Sequence, residues 1–358
     1  MSETISIPRR KKGRPSTESE ERVRQEFQAF ADRLRKIRSA LDFRPGKRGW
    51  CYLLEPSLPK GKDDFGRAEK AIDQCRKSGV LPVNFVAEDV NRKAENLEEP
   101  DEETPQEYAD KWAKVLSEFW EQYNPGSFWD HQPVYVEMMV EKVDLRELFG
   151  PICARFHIPI FNARGWSDIN SRVAMIQRFK FWEERGKKGV LLCGGDFDPS
   201  GFLITKKIRK NLNDLRHAVV ENEDGTIVPL DWTPKNLTID RFGLNLDFIN
   251  EHKLTWINNL ITSSGRNLAT HPKLSKKKYV RDYIARYGVR KVEANALVTH
   301  PAEARELCLR TIAKYVSQDG RADYNWWLKK EREKVRAVMP TAMRAAAREL
   351  AKTIEKAE

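Results

Sequence analysis

Between residues 133 and 201 the chain alternates short apolar runs with amphipathic stretches, and this alternation restricts its fold more than any other feature. "PVYVEMMVE" (133–141), "IPIFN" (158–162) and "GVLLCG" (189–194) read as strands, and "DLRELFGPICARFH" and "INSRVAMIQRFKFWEERG" between them read as helices. Strands that take turns with helices over brief connections pair in parallel, each crossover laying a helix on the sheet. The expected class is α/β, a parallel sheet with helices on both faces. In such sheets ligands bind beyond the carboxyl ends of the strands. Two acidic signals fall there: Glu141 closes the first run, and Asp196 and Asp198 follow the third in "GGDFDPSG".

Asp198 before Pro199 has a simple explanation as the N-cap and first residue of a helix over 200–212, worth ~0.5–2 kcal/mol. That explanation leaves Asp196 unaccounted for. Residues i and i+2 of an extended segment point the same way, so both carboxylates can face a site that Glu141 reaches from its own strand end. Like charges held this close must protonate or acquire a cation, and hard oxygen ligands suit Mg²⁺. Glu137, in mid-strand, is the rival for the glutamate position. A phosphate cradle fits less well, because neither GxxxxGK[ST] nor GxGxxG is present.

The rest of the chain frames this region. Its 358 residues have room for two domains with tails, and a charged fraction of 33% against 40% hydrophobic residues suits a globular protein. No apolar run approaches the ~20 residues that cross a bilayer, and the basic N-terminus lacks the apolar stretch of a secretory signal. Five cysteines without a CxxC pair point to a reducing, cytoplasmic compartment rather than to disulfides or a zinc ribbon. The net charge is +11, and residues 1–50 hold 14 basic and 7 acidic side chains, the footprint of a polyanion binder or of a solvated tail.

The expected division is a basic tail (1–20), a mainly helical DNA-binding domain (21–93), an acidic linker with an aromatic helix (94–131), the α/β domain (132–300) and a C-terminal helical segment (301–358). In the tail, "RRKKGRPS" resembles an AT-hook, which makes Lys12 and Arg14 candidate minor-groove contacts. Helices are expected over 20–41, from "WCYLLE", and through "DDFGRAEKAIDQCRKSGV" to a cap at Gly79; "VLPVNFVAED" reads as a strand or wing. A winged-helix module fits this order, as do other three-helix packings. The linker 94–110 has eight acidic residues and no basic one. The aromatic helix after it suits packing between domains, and the C-terminal segment is expected to pack on the α/β domain.

"VEK" (140–142), "GWSDINSR" (165–172) and "DFDPSG" (196–201), in this order, resemble a TOPRIM domain over about 130–300. The version they resemble belongs to the A subunit of DNA topoisomerase VI and the meiotic double-strand-break transesterase. A looser match over about 26–92 extends to that family's winged-helix domain. The resemblance implies Mg²⁺ held by Glu141, Asp196 and Asp198. It also implies a tyrosine that attacks DNA and becomes joined to a 5′ end. In "RGWCY" (48–52) Arg48 stands four residues before Tyr52 as in the family, but Cys51 stands where the pattern has an aromatic, with Trp50 one place earlier. The tyrosine can equally be a core residue with its hydroxyl tied off. Arg164 and Arg172, flanking "GWSD", are candidate phosphate contacts or solvated arginines.

The resemblance further implies a homodimer, in which one subunit's tyrosine meets the other's metal site, in a cytoplasmic, nucleoid-associated protein. The chain holds no nucleotide-binding motif, so ATP dependence would come from a separate ATPase B-type subunit; short orphan A-subunit-like proteins of bacteria and mobile elements are also similar. Two alternatives stand beside transesterification: a TOPRIM nuclease that activates water, and a DNA-binding module without catalysis.

Overall fold

The structure, a computed structural model, describes residues 4–8, 17–87, 104–162, 169–221, 224–262 and 264–355. Lys12, Arg14, Arg164 and most of the acidic connector lie outside the described residues. Three helices open the chain, α1 (Thr17–Arg38), α2 (Lys47–Leu54) and α3 (Phe65–Lys77), and α4 (Pro105–Glu118) follows. The α/β part runs β1 (Val134–Val140), α5 (Val143–Arg155), β2 (Ile160–Asn162), α6 (Ile169–Glu183), β3 (Lys188–Gly194) and α7 (Pro199–Asn213). A hairpin, β4 (Val219–Glu221) and β5 (Ile227–Pro229), precedes β6 (Thr238–Gly243). Then come α8 (Leu246–Glu251), α9 (Lys278–Tyr287), α10 (Pro301–Ile312) and α11 (Gln318–Glu355). Two units result, residues 1–90 with 135–314 and residues 91–134 with 315–358.

In the first unit α1 turns Phe27, Phe30, Ala31 and Leu34 inward at three- and four-residue steps, and α3 meets it with Ala68, Ala71, Ile72 and Cys75. Burying each large side chain contributes about 1.5–3 kcal/mol. The α3 helix ends as expected, with Gly79 at φ 75° just past its cap. The strand expected at 80–89 does not form in its described part; Val83–Phe85 is a single 3₁₀ turn. Pro82 has no N–H for a ladder, and Phe85 stacks on Trp50 (4.9 Å between centroids) while Val86 is also buried. Phe85 therefore spends its ring on α2 instead of on a strand ladder.

The sheet is four-stranded and parallel in the order β2-β1-β3-β6. Successive β1 residues face opposite layers: Met138 meets Cys153 of α5, whereas Tyr135 and Glu137 meet Phe179 and Arg178 of α6. Helices thus cover both faces. From β1 the chain moves outward to β2, then returns to place β3 on the other side of β1. That reversal makes the crevice at the carboxyl tips of β1 and β3 the switch point where α/β sheets bind ligands.

In the second unit Thr104 and Glu107 form a capping box that starts α4. The α11 helix is fixed near its start by Gln132, which accepts from the Ser317 N–H (2.8 Å), and by Tyr324, whose ring meets Phe128 edge-on. Of the C-terminal segment expected to pack on the α/β domain, residues 301–314 group with it and residues 315–358 group with 91–134. Tyr108, Trp112, Leu116, Phe119 and Tyr123 are each 41–53% exposed. Among the described residues no helix is long and apolar enough to cross a membrane.

Candidate functional site

At the switch point Glu141 follows the last residue of β1, and its N–H donates to the Gly194 carbonyl at the end of β3 (2.9 Å). Its carboxylate crosses to the neighbouring loop, where Oε2 accepts from the Asp196 N–H (3.0 Å). Gly195 makes the crossing possible, because a Cβ there would stand 2.9 Å from Oε2. Glu137 cannot compete for this role. It is fully buried four residues earlier, holds Arg178 through both oxygens (2.7 and 2.9 Å) and accepts from the Tyr135 hydroxyl (2.8 Å).

Asp198 is the N-cap of α7, with Oδ1 accepting from the Gly201 N–H at 2.6 Å, and Pro199 opens the helix. The cap reading is thus correct for Asp198. Gly201 has a second duty: a Cβ there would collide with the Asp196 carbonyl oxygen. Asp196 is engaged on both oxygens. Oδ1 accepts from the Ala294 N–H (2.8 Å), and Oδ2 pairs with Lys142 Nζ at 2.8 Å. The same ammonium lies 3.5 Å from Glu141 Oε1. Arg241 of β6 donates to the carbonyls of Gly195 (3.1 Å) and Asp196 (2.7 Å), fixing the loop from below.

Burial pushes the Asp196 carboxyl above the usual range; Lys142 opposes this and Glu141 adds to it. Asp198 is raised by burial and by the Asp196 charge. Lys142 is held up as a cation: desolvation pulls it down, but Asp196 and Glu141 outweigh that. Such a cluster needs positive charge. Among the described residues no three His, Cys, Asp or Glu side chains converge as a metal cage, and the cation seated between two of these carboxylates is Lys142. Glu141, Asp196 and Asp198 are hard carboxylate donors of the kind Mg²⁺ takes, but Lys142 bridges the first two and the third caps α7.

Tyr52 lies in the same network. Arg48 and Tyr52 are one turn apart on α2, hence on one face. Arg48 forms a forked pair with Glu293 (Nε–Oε2 2.9 Å, Nη2–Oε1 3.3 Å), and the Tyr52 hydroxyl donates to Glu293 Oε2 at 3.1 Å. The next residue, Ala294, supplies the N–H that Asp196 accepts. The start of α2 is fixed to the sheet domain by buried Asp144, which accepts from the Gly46 N–H and from the Asn295 amide. The tyrosine and the carboxylates are therefore linked within one chain.

Tyr52 is 1% exposed, its ring edge-on to Phe65 (5.0 Å) with Lys62 Nζ 4.9 Å above it. Burial and then the Glu293 charge push its phenol well above 10, against the pull of Arg48. Glu293 is depressed because Arg48 and Lys291 overcome its desolvation. Burial lowers Lys62 to about 8, reinforced by repulsion from Arg48 and Lys291.

Arg172 does not reach this site: its Nη1 donates to the Asn211 carbonyl (3.3 Å), roughly 20 Å along α7 from the Asp198 cap. The sequence reading missed Glu293, Lys142, Arg241 and Lys291. A carboxylate inside "RKVEANALV" (290–298), flanked by buried apolar residues, was the available signal for Glu293. Compared with known proteins, the chain matches no family model, and no curated protein or solved structure gives a significant match.

Proposed function

We propose that this protein is a Mg²⁺-dependent DNA-cleaving enzyme that resembles the topoisomerase VI A subunit and uses Tyr52 as nucleophile. One observation carries the reading: Tyr52, Arg48 and Glu293 adjoin the switch-point carboxylates Glu141 and Asp196 through the shared segment 293–294. The resemblance in "VEK" and "DFDPSG" supplies the substrate class.

In the proposed step the Tyr52 oxygen bonds to a DNA phosphorus while the bond from phosphorus to the 3′ oxygen breaks. The phenolic proton passes to Glu293, which already accepts it as a hydrogen bond. The 3′ oxygen leaves as a hydroxyl by taking a proton from water. Arg48 orients Glu293 and brings positive charge near the attacking oxygen. A divalent ion on Glu141, Asp196 and Asp198 would neutralise the phosphate charge. Because Tyr52 is covered in this conformation, its hydroxyl must be uncovered before attack. A homodimer, and an ATPase subunit as separate partner, belong to the same proposal, as does location at the nucleoid.

The test is incubation with 3′-labelled duplex DNA and Mg²⁺, followed by denaturing electrophoresis. The reading expects a protein–DNA adduct lost in Y52F. The burial of Tyr52 favours a second reading, hydrolysis by activated water. It expects free 5′-phosphate ends and an unimpaired Y52F. DNA binding without any cleavage in Mg²⁺ would leave only a binding module.

A further inference from the structure

Residues 273–291, "KLSKKKYVRDYIARYGVRK", hold eight basic side chains and one acidic one, a denser positive charge than that of the N-terminal region. Structure turns this composition into a surface. On α9, Val280 and Tyr283 are buried, while Lys278, Arg281, Asp282, Ala285 and Arg286 are exposed on one face. The single acid is already neutralised, since Lys278 Nζ pairs with Asp282 at 2.8 Å. The neighbouring α7 contains four cations and no acid, and its Lys206, Lys207 and Lys210 are exposed. A cavity of about 110 Å³ separates the two helices, lined by Phe202, Tyr279 and Tyr287 with Lys206 and Arg286 at its margin.

This basic face is joined rigidly to the candidate site. The α7 helix begins at the Asp198 cap. Phe197, between the two aspartates, exchanges backbone hydrogen bonds with Val292 (2.8 and 3.1 Å). The Tyr283 hydroxyl lies 2.9 Å from the carbonyls of both Phe197 and Arg290. From Phe197 the chain runs into α7, and from Val292 it runs back to α9. Two packed helices therefore carry a row of cations that runs away from the carboxylates, Lys206 about 12 Å and Lys210 about 18 Å along α7 from the Asp198 cap, a placement that attracts a polyanion to this side of the domain.

We infer that the α7–α9 face is a DNA-backbone binding platform that delivers the duplex to the carboxylates at the β1 and β3 tips. The inference rests on the reading of those carboxylates as acting on DNA, and it names the surface that brings the substrate in. Its cations contact phosphates, so the platform reads charge and not sequence.

The test measures affinity by fluorescence anisotropy for a labelled 30-base-pair DNA duplex in EDTA, across a salt series. K276Q/R281Q/R286Q changes only exposed side chains, and thermal melting checks that it folds as the parent does. The expected result is at least about tenfold weaker binding, with the slope of log affinity against log salt reduced by about 3. A second variant, K206Q/K207Q/K210Q on α7, is expected to weaken binding likewise. The control K329Q/K330Q/K334Q on α11 makes the same charge change and is expected to stay within about twofold. The inference is overturned if both platform variants bind like the parent, or if the control loses as much. It is equally overturned if an RNA duplex of the same length binds at least about tenfold tighter than DNA. Platform-dependent binding with neither adduct nor cut in Mg²⁺ sinks the cleavage reading and leaves the platform standing.

Discussion

Glu137 and Glu141 stand four residues apart on one stretch of chain, in the middle of the sheet and at its rim, and they meet opposite fates. At mid-strand Glu137 has no exposed surface, and Arg178 and Tyr135 occupy its oxygens. At the rim Glu141 shares Lys142 with Asp196, two residues before Asp198, which caps a helix. The mid-strand pair is closed on itself, whereas the rim carboxylates share Lys142 and feel the charges of Arg241 and Lys291 as well. A carboxylate paired inside a sheet contributes to architecture; carboxylates gathered at a switch point stand where such sheets bind ligands.

The largest expected effect lies at the rim. Under the proposed chemistry Y52F abolishes the covalent adduct, by at least about 10³-fold, and an adduct that survives it removes Tyr52 from the reaction. D198N sharpens the contrast further, because asparagine caps a helix about as well as aspartate. It is expected to keep urea-unfolding stability within about 0.5 kcal/mol while cleavage in Mg²⁺ falls by at least about 100-fold. Loss of stability in D198N would mean that the carboxylate's charge is structural.

At mid-strand the expectation reverses. R178M strands a buried Glu137 charge and should cost about 3 kcal/mol in urea unfolding, with cleavage per folded molecule unchanged. A fully stable R178M would dissolve the distinction between the two positions. The smallest effect tests Glu293, which lies between these extremes. Its folded pKa is below 4.5, so the stability it supplies is present above that pH and lost as pH falls through the folded value. E293Q is expected to lose about 2 kcal/mol at pH 7, and the difference from the parent should shrink as unfolding is followed from pH 4.5 downward. A pH-independent difference would mean that the Arg48 pairing is not its source.

The sequence made the α/β alternation legible because side-chain period and strand length are local properties, and β1, α5, β2, α6 and β3 appear where they were expected. It made the Asp198 cap legible for the same reason. The strand expected at 80–89 is absent over its described residues because Phe85 and Val86 suit a strand and a packed turn equally, and only the presence of Trp50 decides between them. Arg172, a candidate phosphate contact or solvated arginine by its place beside "GWSD", turns its guanidinium to the Asn211 carbonyl far along α7.

By itself the sequence determined that two carboxylate signals would stand at strand ends, since strand ends follow from hydropathy and turn chemistry. Only the tertiary structure decided which oxygen meets which donor. Lys142 between Glu141 and Asp196, and Glu293 against Tyr52, join residues far apart along the chain. Those pairings depend on the strand order that returns β3 to the side of β1, and on the packing of α2 against the segment after α9. Neither leaves a local pattern, because a chain records the chemistry of each side chain but not which distant partner folding will bring beside it.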